Sequence, residues 1–298
     1  MRIVVGASSF GQASPSVIEA LTDKGIDVVL NPFGRKLNEK ETIEFLAGAD
    51  GLLAGLEPLT EKVLSHHVGK LKAISRIGIG MDNVDIAAAK KFNIAVSNTP
   101  DAPTSAVTEM TLAVILAFCR QLIPQNSALH AGQWQKILGR SVSELSVLIV
   151  GFGRVGKSVY NALLPFGAQL TIYDPFLAGC DNEFFEDALG KADVVTLHAS
   201  GNQLIMGGPE IAKMKPGSIL LNCGRGGQVN EKSLYDALQS GHLGGCWLDV
   251  FEDEPYTGPL RECQSAILTP HSCSYTGKCR IEMEMQAVNN ILRDLHVA

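Results

Sequence analysis

The chain lacks a CxxC pair, a cluster of Lys and Arg, and any apolar run long enough for a membrane. Its seven cysteines are scattered, Cys273 and Cys279 being the closest pair, and none has zinc-ligand spacing around it. Neither a disulfide framework nor a metal site is expected. The N-terminus, Met1-Arg2-Ile3-Val4-Val5-Gly6, reads as a first strand and its turn rather than a secretory leader. With an odd cysteine count, that points to reduced thiols and a cytoplasmic location. Acidic and basic residues are interspersed and the formal charge is -6, which disfavours a nucleic-acid partner, because that needs clustered cations. The longest apolar stretch, Met110 to Cys119, is broken by Thr111 and falls short of the ~20 residues that cross a bilayer, so no membrane span is expected.

What is present is an alternation. In the first hundred residues, strand-like runs at Ile3–Val5, Val28–Leu30, Gly51–Ala54, Ala73–Ile74 and Ile94–Val96 are separated by helical patterns at 15–24, 39–48, 60–65 and 84–91. Asn98 to Pro103 is a turn cluster and a candidate hinge. A nearly uniform apolar helix over 104–120 follows, of the kind that is buried on most sides or lies at an interface. A second series then runs through strands at Val147–Val150, Gln169–Tyr173, Val194–Leu197, Ser218–Asn222, Gly244–Leu248 and Leu268–Thr269. Helices are expected at 155–164, 209–214 and 231–240, with a last one at 276–295. Strand and helix in alternation imply parallel sheets, and two separated series imply two of them. The fold class is thus α/β, with two doubly wound parallel-sheet domains, in keeping with a length of 298 residues.

The strand at 147–150 runs into Gly151-Phe152-Gly153-Arg154-Val155-Gly156. A lone GxGxxG is weak, but this one has a strand before it, a helix after it, and Asp174 closing the next strand at roughly the 20-residue spacing of a dinucleotide site. Gly151 permits the tight turn, Gly153 lets the backbone approach a pyrophosphate, and Gly156 lets the helix pack on the strand. The pyrophosphate would rest on amides at the helix N-terminus. Asp174 suits the ribose hydroxyls of NAD and repels the extra phosphate of NADP. Pro175-Phe176 brings no arginine to receive one, so NAD is expected.

Arg225, Glu254 and His271 each lie just past a strand of this second series, where parallel sheets form their ligand crevice. An arginine can grip a carboxylate with paired hydrogen bonds. A histidine suits proton transfer near neutral pH, and a nearby carboxylate fixes its ring. Together they fit hydride transfer to a small 2-oxo acid.

Five segments carry a resemblance: Arg76-Ile77-Gly78-Ile79-Gly80-Met81-Asp82-Asn83-Val84-Asp85, the fingerprint, 214–227 with Asn222-Cys223-Gly224-Arg225-Gly226-Gly227, Leu248 to Pro255, and Thr269-Pro270-His271-Ser272. In these the chain resembles the D-2-hydroxyacid dehydrogenase family, which includes phosphoglycerate dehydrogenases and hydroxypyruvate reductases. The resemblance implies a Rossmann NAD-binding domain over 99–271, inserted in a flavodoxin-like substrate domain formed by 1–98, with 272–298 returning to it as the last helix. It implies that Arg225 binds the substrate carboxylate, that His271 is the acid/base and that Glu254 supports it. It implies that the Ile79 and Gly80 amides also hold the carboxylate. On the cofactor side it implies Phe152, Arg154, Val155, Pro175, His198 and Ser200, Cys223 and Gly224 beside the nicotinamide ribose, Asp249 at the carboxamide, and Ser274 bordering the nicotinamide ring. It also implies a homodimer built on the nucleotide domains. The Pro-Leu-Thr stretch usual after His198 is replaced by the shorter Ala199-Ser200-Gly201-Asn202, and Ser143 to Ser146 lacks the usual glycine.

Other residues read more plainly. Arg76 is either a loop brace or a second cation for a phosphate or distal carboxylate. His66-His67 reads as a solvated helix end, Glu109 as a buried structural acid, and Asp82 and Asp85 as caps and braces. Cys223 has no base beside it in sequence, which argues against a thiol nucleophile. The rival to an enzyme is an NAD(H)-sensing binding protein of the corepressor kind. Among enzymes, a 3-phosphoglycerate dehydrogenase stands against a glyoxylate or hydroxypyruvate reductase.

Overall fold

A computed structural model describes residues 1–297. The chain divides into two compact units, Met1–Pro103 together with the chain from Tyr275 onward, and Thr104–Ser274. The N-terminal unit opens with β1 (Arg2–Val5), α1 (Ser16–Thr22), β2 (Asp27–Leu30), α2 (Glu39–Phe45), β3 (Gly51–Ala54), α3 (Glu61–Ser65), β4 (Ala73–Arg76), α4 (Ile86–Lys91) and β5 (Ala95–Asn98). Its five strands are all parallel, in the order β2-β1-β3-β4-β5. Polar side chains stop the chain from running on between elements: Asn38, Thr60 and Asp85 each cap the helix that follows by accepting from its backbone.

The second unit holds α5 (Pro103–Cys119), α6 (Leu122–His130), β6 (Ser146–Val150), α7 (Arg154–Leu163), β7 (Gln169–Tyr173), α8 (Asn182–Lys191), β8 (Val194–Leu197), α9 (Gly208–Lys213), β9 (Ile219–Asn222), α10 (Glu231–Gln239), β10 (Gly245–Leu248) and β11 (Ala266–Leu268). Its six parallel strands run β11-β10-β9-β8-β6-β7. Successive strand residues point to opposite faces, and the core follows that alternation. Leu148, Val195, Leu220 and Cys246 pack on one face with α8, α9 and α10, whereas Val147, Val194, Leu221 and Trp247 pack on the other with α5 and α7. Both faces are covered, so the strands read as continuous apolar runs.

The last helix, α11 (Gly277–Asp294), is capped by Thr276 and belongs to the N-terminal unit. Its buried Met283, Ala287, Val288, Ile291 and Leu292 form one helical stripe, and Ile291 reaches Gly51 on β3. Helices α6 and α8 are additions to the sequence expectation. Two other residues correct it. Glu109 is exposed on α5, where Ser105 donates to it, and His67 is buried. Among the described residues, no single helix is long and apolar enough to cross a membrane.

Candidate active site

The site of the second unit grows from strand ends. Strand order reverses around β6, which has β7 on one side and β8 on the other, and a parallel sheet opens its crevice at such a point. Gly151 leaves β6 with φ +90°, and a Cβ there would lie 2.6 Å from the Ala199 amide nitrogen after β8. A Cβ on Gly156 would fall on the Gly151 carbonyl oxygen, while one on Gly153 would meet open space. The chain is thus closed around Gly151 and Gly156 and open above Gly153, where α7 begins without a side-chain cap. That combination fits a pyrophosphate on the first-turn amides. Asp174 directly follows β7 and accepts from the amides of Phe152 (2.8 Å) and Phe176 (3.0 Å), so it braces the fingerprint turn at the position expected to meet a ribose. Pro175 follows it, with Phe176 exposed.

Arg225 sits in a turn built after β9. Asn222, fully buried, accepts from the Gly224 amide (3.0 Å) and donates to the Arg225 carbonyl (2.9 Å). The Arg225 Nη1 donates to the Gly224 carbonyl at 2.8 Å. Gln228, also fully buried, accepts from the Arg225 amide (3.3 Å) and donates to the carbonyls of Ala199 (2.9 Å) and Gly201 (2.7 Å). The shortened loop after His198 is therefore tied to the arginine turn, a second time by Asn202 accepting from the Gly227 amide (2.9 Å). Ser200 lies exposed in this loop. A Cβ on Gly226 would overlap the Phe251 carbonyl group, so this turn abuts the loop that carries Glu254.

His271 Nδ1 lies 3.0 Å from Glu254 Oε2, and both side chains are partly open, at 42% and 33%. The other Glu254 oxygen accepts from the Phe251 amide (3.2 Å). His271 has φ +51°, a backbone conformation that its surroundings must impose. They do so through its amide, which donates to the carbonyls of Asp249 (2.8 Å) and Thr269 (3.0 Å). The buried Asp249 carboxylate then accepts from Thr269 Oγ1 (2.6 Å) and from the amides of Ser272 (2.8 Å) and Cys273 (3.0 Å). Trp247 Nε1 completes the chain by donating to Thr269 (2.9 Å). Asp249 is thus the brace of the His271 loop, with Ser274 one residue beyond its last contact.

Sequence reasoning missed Asn222, Gln228, Asn202, Thr269 and Trp247, because their work is long-range hydrogen bonding and spacing carries no sign of it. It also missed a base beside Cys223: His198 Nδ1 lies 3.3 Å from the Cys223 sulfur, which corrects the expectation of an unpaired thiol. In the N-terminal unit, Arg76 ends β4 and donates to the Ile77 carbonyl (2.6 Å). Gly78 has φ +132°, its amide donates to Thr99 (2.7 Å), and Asn98 holds the Ile79 carbonyl (2.7 Å), which fixes the loop that presents Ile79 and Gly80. Glu57, also unforeseen, is buried against Gly55 in the same unit, and burial pushes its carboxyl up against the Gly55 amide, Arg76 and Lys36. Among the described residues, no three His, Cys, Asp or Glu side chains are grouped to hold a metal.

Residues 112–273 match the D-isomer specific 2-hydroxyacid dehydrogenase NAD binding domain. The chain is 33% identical to the hydroxypyruvate reductase of Thermotoga maritima, over 76% of this chain and 78% of that one. It is 30% identical to the D-3-phosphoglycerate dehydrogenase of Synechocystis sp., over 95% of this chain but 54% of that one, so it spans about half the length of the phosphoglycerate dehydrogenases it matches. The TT0316 protein of Thermus thermophilus superposes with a TM-score of 0.87 at 31% identity, covering 99% of this chain and 97% of that one. Two parallel α/β units, a matched NAD-binding domain and relatives aligned along most of the chain lead to one assignment: the chain belongs to the D-isomer specific 2-hydroxyacid dehydrogenase family.

Proposed function

We propose that the protein is an NAD-dependent oxidoreductase that interconverts a small 2-oxo acid and its D-2-hydroxy acid. The observation that carries this reading is the His271–Glu254 pair at 3.0 Å, on strand ends next to the Arg225 turn. Glu254 accepts from Nδ1, which fixes the tautomer and leaves Nε2 to pass a proton to or from the C2 oxygen. Arg225, on a turn made rigid by Asn222 and Gln228, grips the carboxylate through its planar fork. Gly151, Gly153, the first turn of α7 and Asp174 would hold the cofactor, and when bound its nicotinamide supplies or takes the hydride at C2. The acid at position 174 supports NAD over NADP.

The named relatives are enzymes, and no observation favours a binding protein without turnover. Hydroxypyruvate, glyoxylate and 3-phosphohydroxypyruvate all stay within the reading; a phosphorylated substrate would draw on Arg76 as a further cation. Seven free thiols support a reducing compartment such as the cytoplasm. A run of exposed apolar residues from Leu122 to Leu138 supports a homodimer.

NADH oxidation against a panel of 2-oxo acids tests the reading. Turnover on one member, reduced about 10²- to 10⁴-fold in His271→Ala with NADH binding retained, is the expected result. NADH binding without turnover on any member would transfer the case to a binding protein. Arg76→Ala should impair a phosphorylated substrate far more than glyoxylate.

A further inference from the structure

The N-terminal unit has a pocket of its own, which the reading above leaves unused. It measures about 270 Å³ and lies between the β1–α1 loop, through Ser9 and Gln12, and the start of α11, through Tyr275, Thr276, Gly277 and Arg280. All six residues belong to this one unit. Among the described residues, Arg280 is the only charged side chain of the lining. It is 14% exposed, with the Tyr275 ring 5.6 Å from its guanidinium carbon. Its Nη2 donates to Ser9 Oγ (2.9 Å) and to Glu284 Oε1 (2.5 Å). Neither Nε nor Nη1 has a hydrogen-bond partner among the described residues, and neither is sealed off from solvent. Glu284 is fully buried, lines no part of the pocket, and gives its other oxygen to the Gly11 amide (3.0 Å).

The other polar groups of the lining are left as donors too. Ser9 Oγ accepts from Arg280, and Thr276 Oγ1 accepts from the Cys279 amide (3.2 Å), so each hydroxyl keeps its own proton to give. The Gln12 side-chain oxygen is engaged by the Tyr275 hydroxyl (3.4 Å), and its nitrogen by the Ser8 carbonyl (3.3 Å). Helix α11 closes its first turn with the Arg280 amide on the Thr276 carbonyl (2.9 Å), which leaves the amides of Gly277 and Lys278 without a partner inside the helix. A Cβ on Gly277 would meet open space, so nothing covers them there. A cation with two unused nitrogens, two hydroxyls and two amides, with no acid facing them, make a cavity of donors that calls for an anion.

We propose that this pocket binds a small organic anion through a carboxylate, phosphate or sulfonate group, with Arg280 as its cation. Glu284 and Ser9 fix the guanidinium by holding Nη2 and leave Nε and Nη1 to the ligand. A charge-assisted bond from Arg280 is the strongest contact on offer, and the Ser9 and Thr276 hydroxyls and the α11 amides complete the set. The volume is near the lower end of small-molecule pockets, which suits an acid of a few carbons better than a bare ion. Two sources offer such a group: the far end of a 2-oxo acid that carries a second anion, or a separate acid that binds here alone. Only the first rests on the proposed function.

Titration calorimetry of the whole protein with succinate, inorganic phosphate and neutral succinamide tests the pocket without turnover. Wild type should take up succinate or phosphate and not succinamide. Arg280→Gln should weaken that uptake about tenfold or more, the loss of one charge-assisted bond. It also leaves the buried Glu284 without its partner, which destabilises the fold, so a second variant is needed. Gly277→Asp puts its side chain into open space, an acid suits the first turn of a helix, and its charge repels the ligand. It should keep the wild-type Tm and lose uptake by about tenfold or more, whereas Gly277→Ala should stay within about threefold. The uptake that Gly277→Asp removes should persist in Arg225→Gln, which separates this pocket from the proposed carboxylate grip of the second unit.

Kinetics then identify the source. For the substrate's own group, Gly277→Asp raises the KM for oxaloacetate or 3-phosphohydroxypyruvate about tenfold or more and leaves that of glyoxylate in place. For a separate acid, no KM changes selectively while succinate uptake is still lost. Both results support the pocket. No uptake of succinate or phosphate by wild type at millimolar concentration, or equal uptake by wild type and Gly277→Asp, overturns it. Uptake that Gly277→Asp abolishes in a protein inert to every oxo acid would refute the proposed function and leave the pocket standing.

Discussion

Glu57 shows how a single side chain can dictate its neighbours. Its carboxyl is almost fully buried, and a Cβ on Gly6 would overlap it, while one on Gly55 would lie 3.1 Å from Oε2. Both glycines are therefore the room that this acid needs. The Gly55 amide donates to its two oxygens at 3.1 and 3.0 Å, which does not replace the lost hydration, and burial pushes the carboxyl up. The folded chain then holds the Glu57 proton longer than the unfolded chain does. Stability must fall as pH rises from the ordinary value of 4.5 through the higher folded one. Glu57→Gln keeps an acceptor for Gly55 and removes the charge. It should raise Tm by about 2–4 °C at pH 8, a ~1 kcal/mol gain at this chain length, and the gap should close towards pH 4. A variant less stable than wild type at pH 8 would mean that the charge itself is held favourably.

At the level of elements, Asp193 ties three strand starts together. It precedes β8, its carboxylate accepts from the Ser146 amide that opens β6 (2.9 Å), and its carbonyl accepts from the Ile219 amide that opens β9. Arg140 and Lys215 bind the same carboxylate oxygen at 2.9 and 2.8 Å. Burial alone would raise this carboxyl, but the Arg140 and Lys215 hydrogen bonds and the Ser146 amide outweigh it and hold it at about 2. Because the folded value is the lower one, the stabilisation is complete above the ordinary 3.8 and is lost as pH falls towards 2. Asp193→Asn should cost about 1–2 kcal/mol at pH 7, discounting for the half-exposed cations, and should flatten acid unfolding below pH 4. Urea denaturation at pH 7 and pH 3 would check this, and an equal loss at both values would exclude the charge as the cause.

The elements also mark how far the sequence could be read. Strands with apolar runs and helices with polar caps were legible because β6, β8 and β9 are buried on both faces. Helix α6 has no buried residue and includes Pro124, so no periodicity announces it. Helix α8 does carry a stripe in Phe185, Ala188 and Leu189 behind an Asp181 cap, but its acid-rich sequence reads as loop. At the candidate site, the sequence places Arg225, Glu254 and His271 each after a strand, and the structure sets Glu254 beside His271 because strand ends of a parallel sheet converge. The Cys223–His198 contact could not be read in this way, since it joins positions 25 residues apart in sequence through two neighbouring strands and leaves no local pattern.

For the whole molecule, the surface of the second unit bears on assembly. Leu122, Ile123 and Leu129 on α6 are exposed, and in the irregular segment after it Trp134 is 86% and Leu138 96% open to solvent. Scattered single apolar residues are ordinary, but five large ones within 17 consecutive positions, two of them almost entirely bare, are not. The segment continues α5 after a sharp bend of 63°, at Gln121 in a left-handed conformation, and α5 itself packs on the sheet of the second unit. An isologous dimer would cover this run with its own copy, since a two-fold axis lets one apolar patch serve both partners. Trp134, the largest exposed side chain of the run, would then be an anchor. Light scattering should give twice the chain mass for wild type and the single mass for Trp134→Glu/Leu138→Glu. Dilution should lower the Tm of wild type but not that of the variant, because only an assembled state gains stability from concentration. A wild-type chain of single mass at micromolar concentration would leave these residues to a different partner and remove the homodimer from the proposed function.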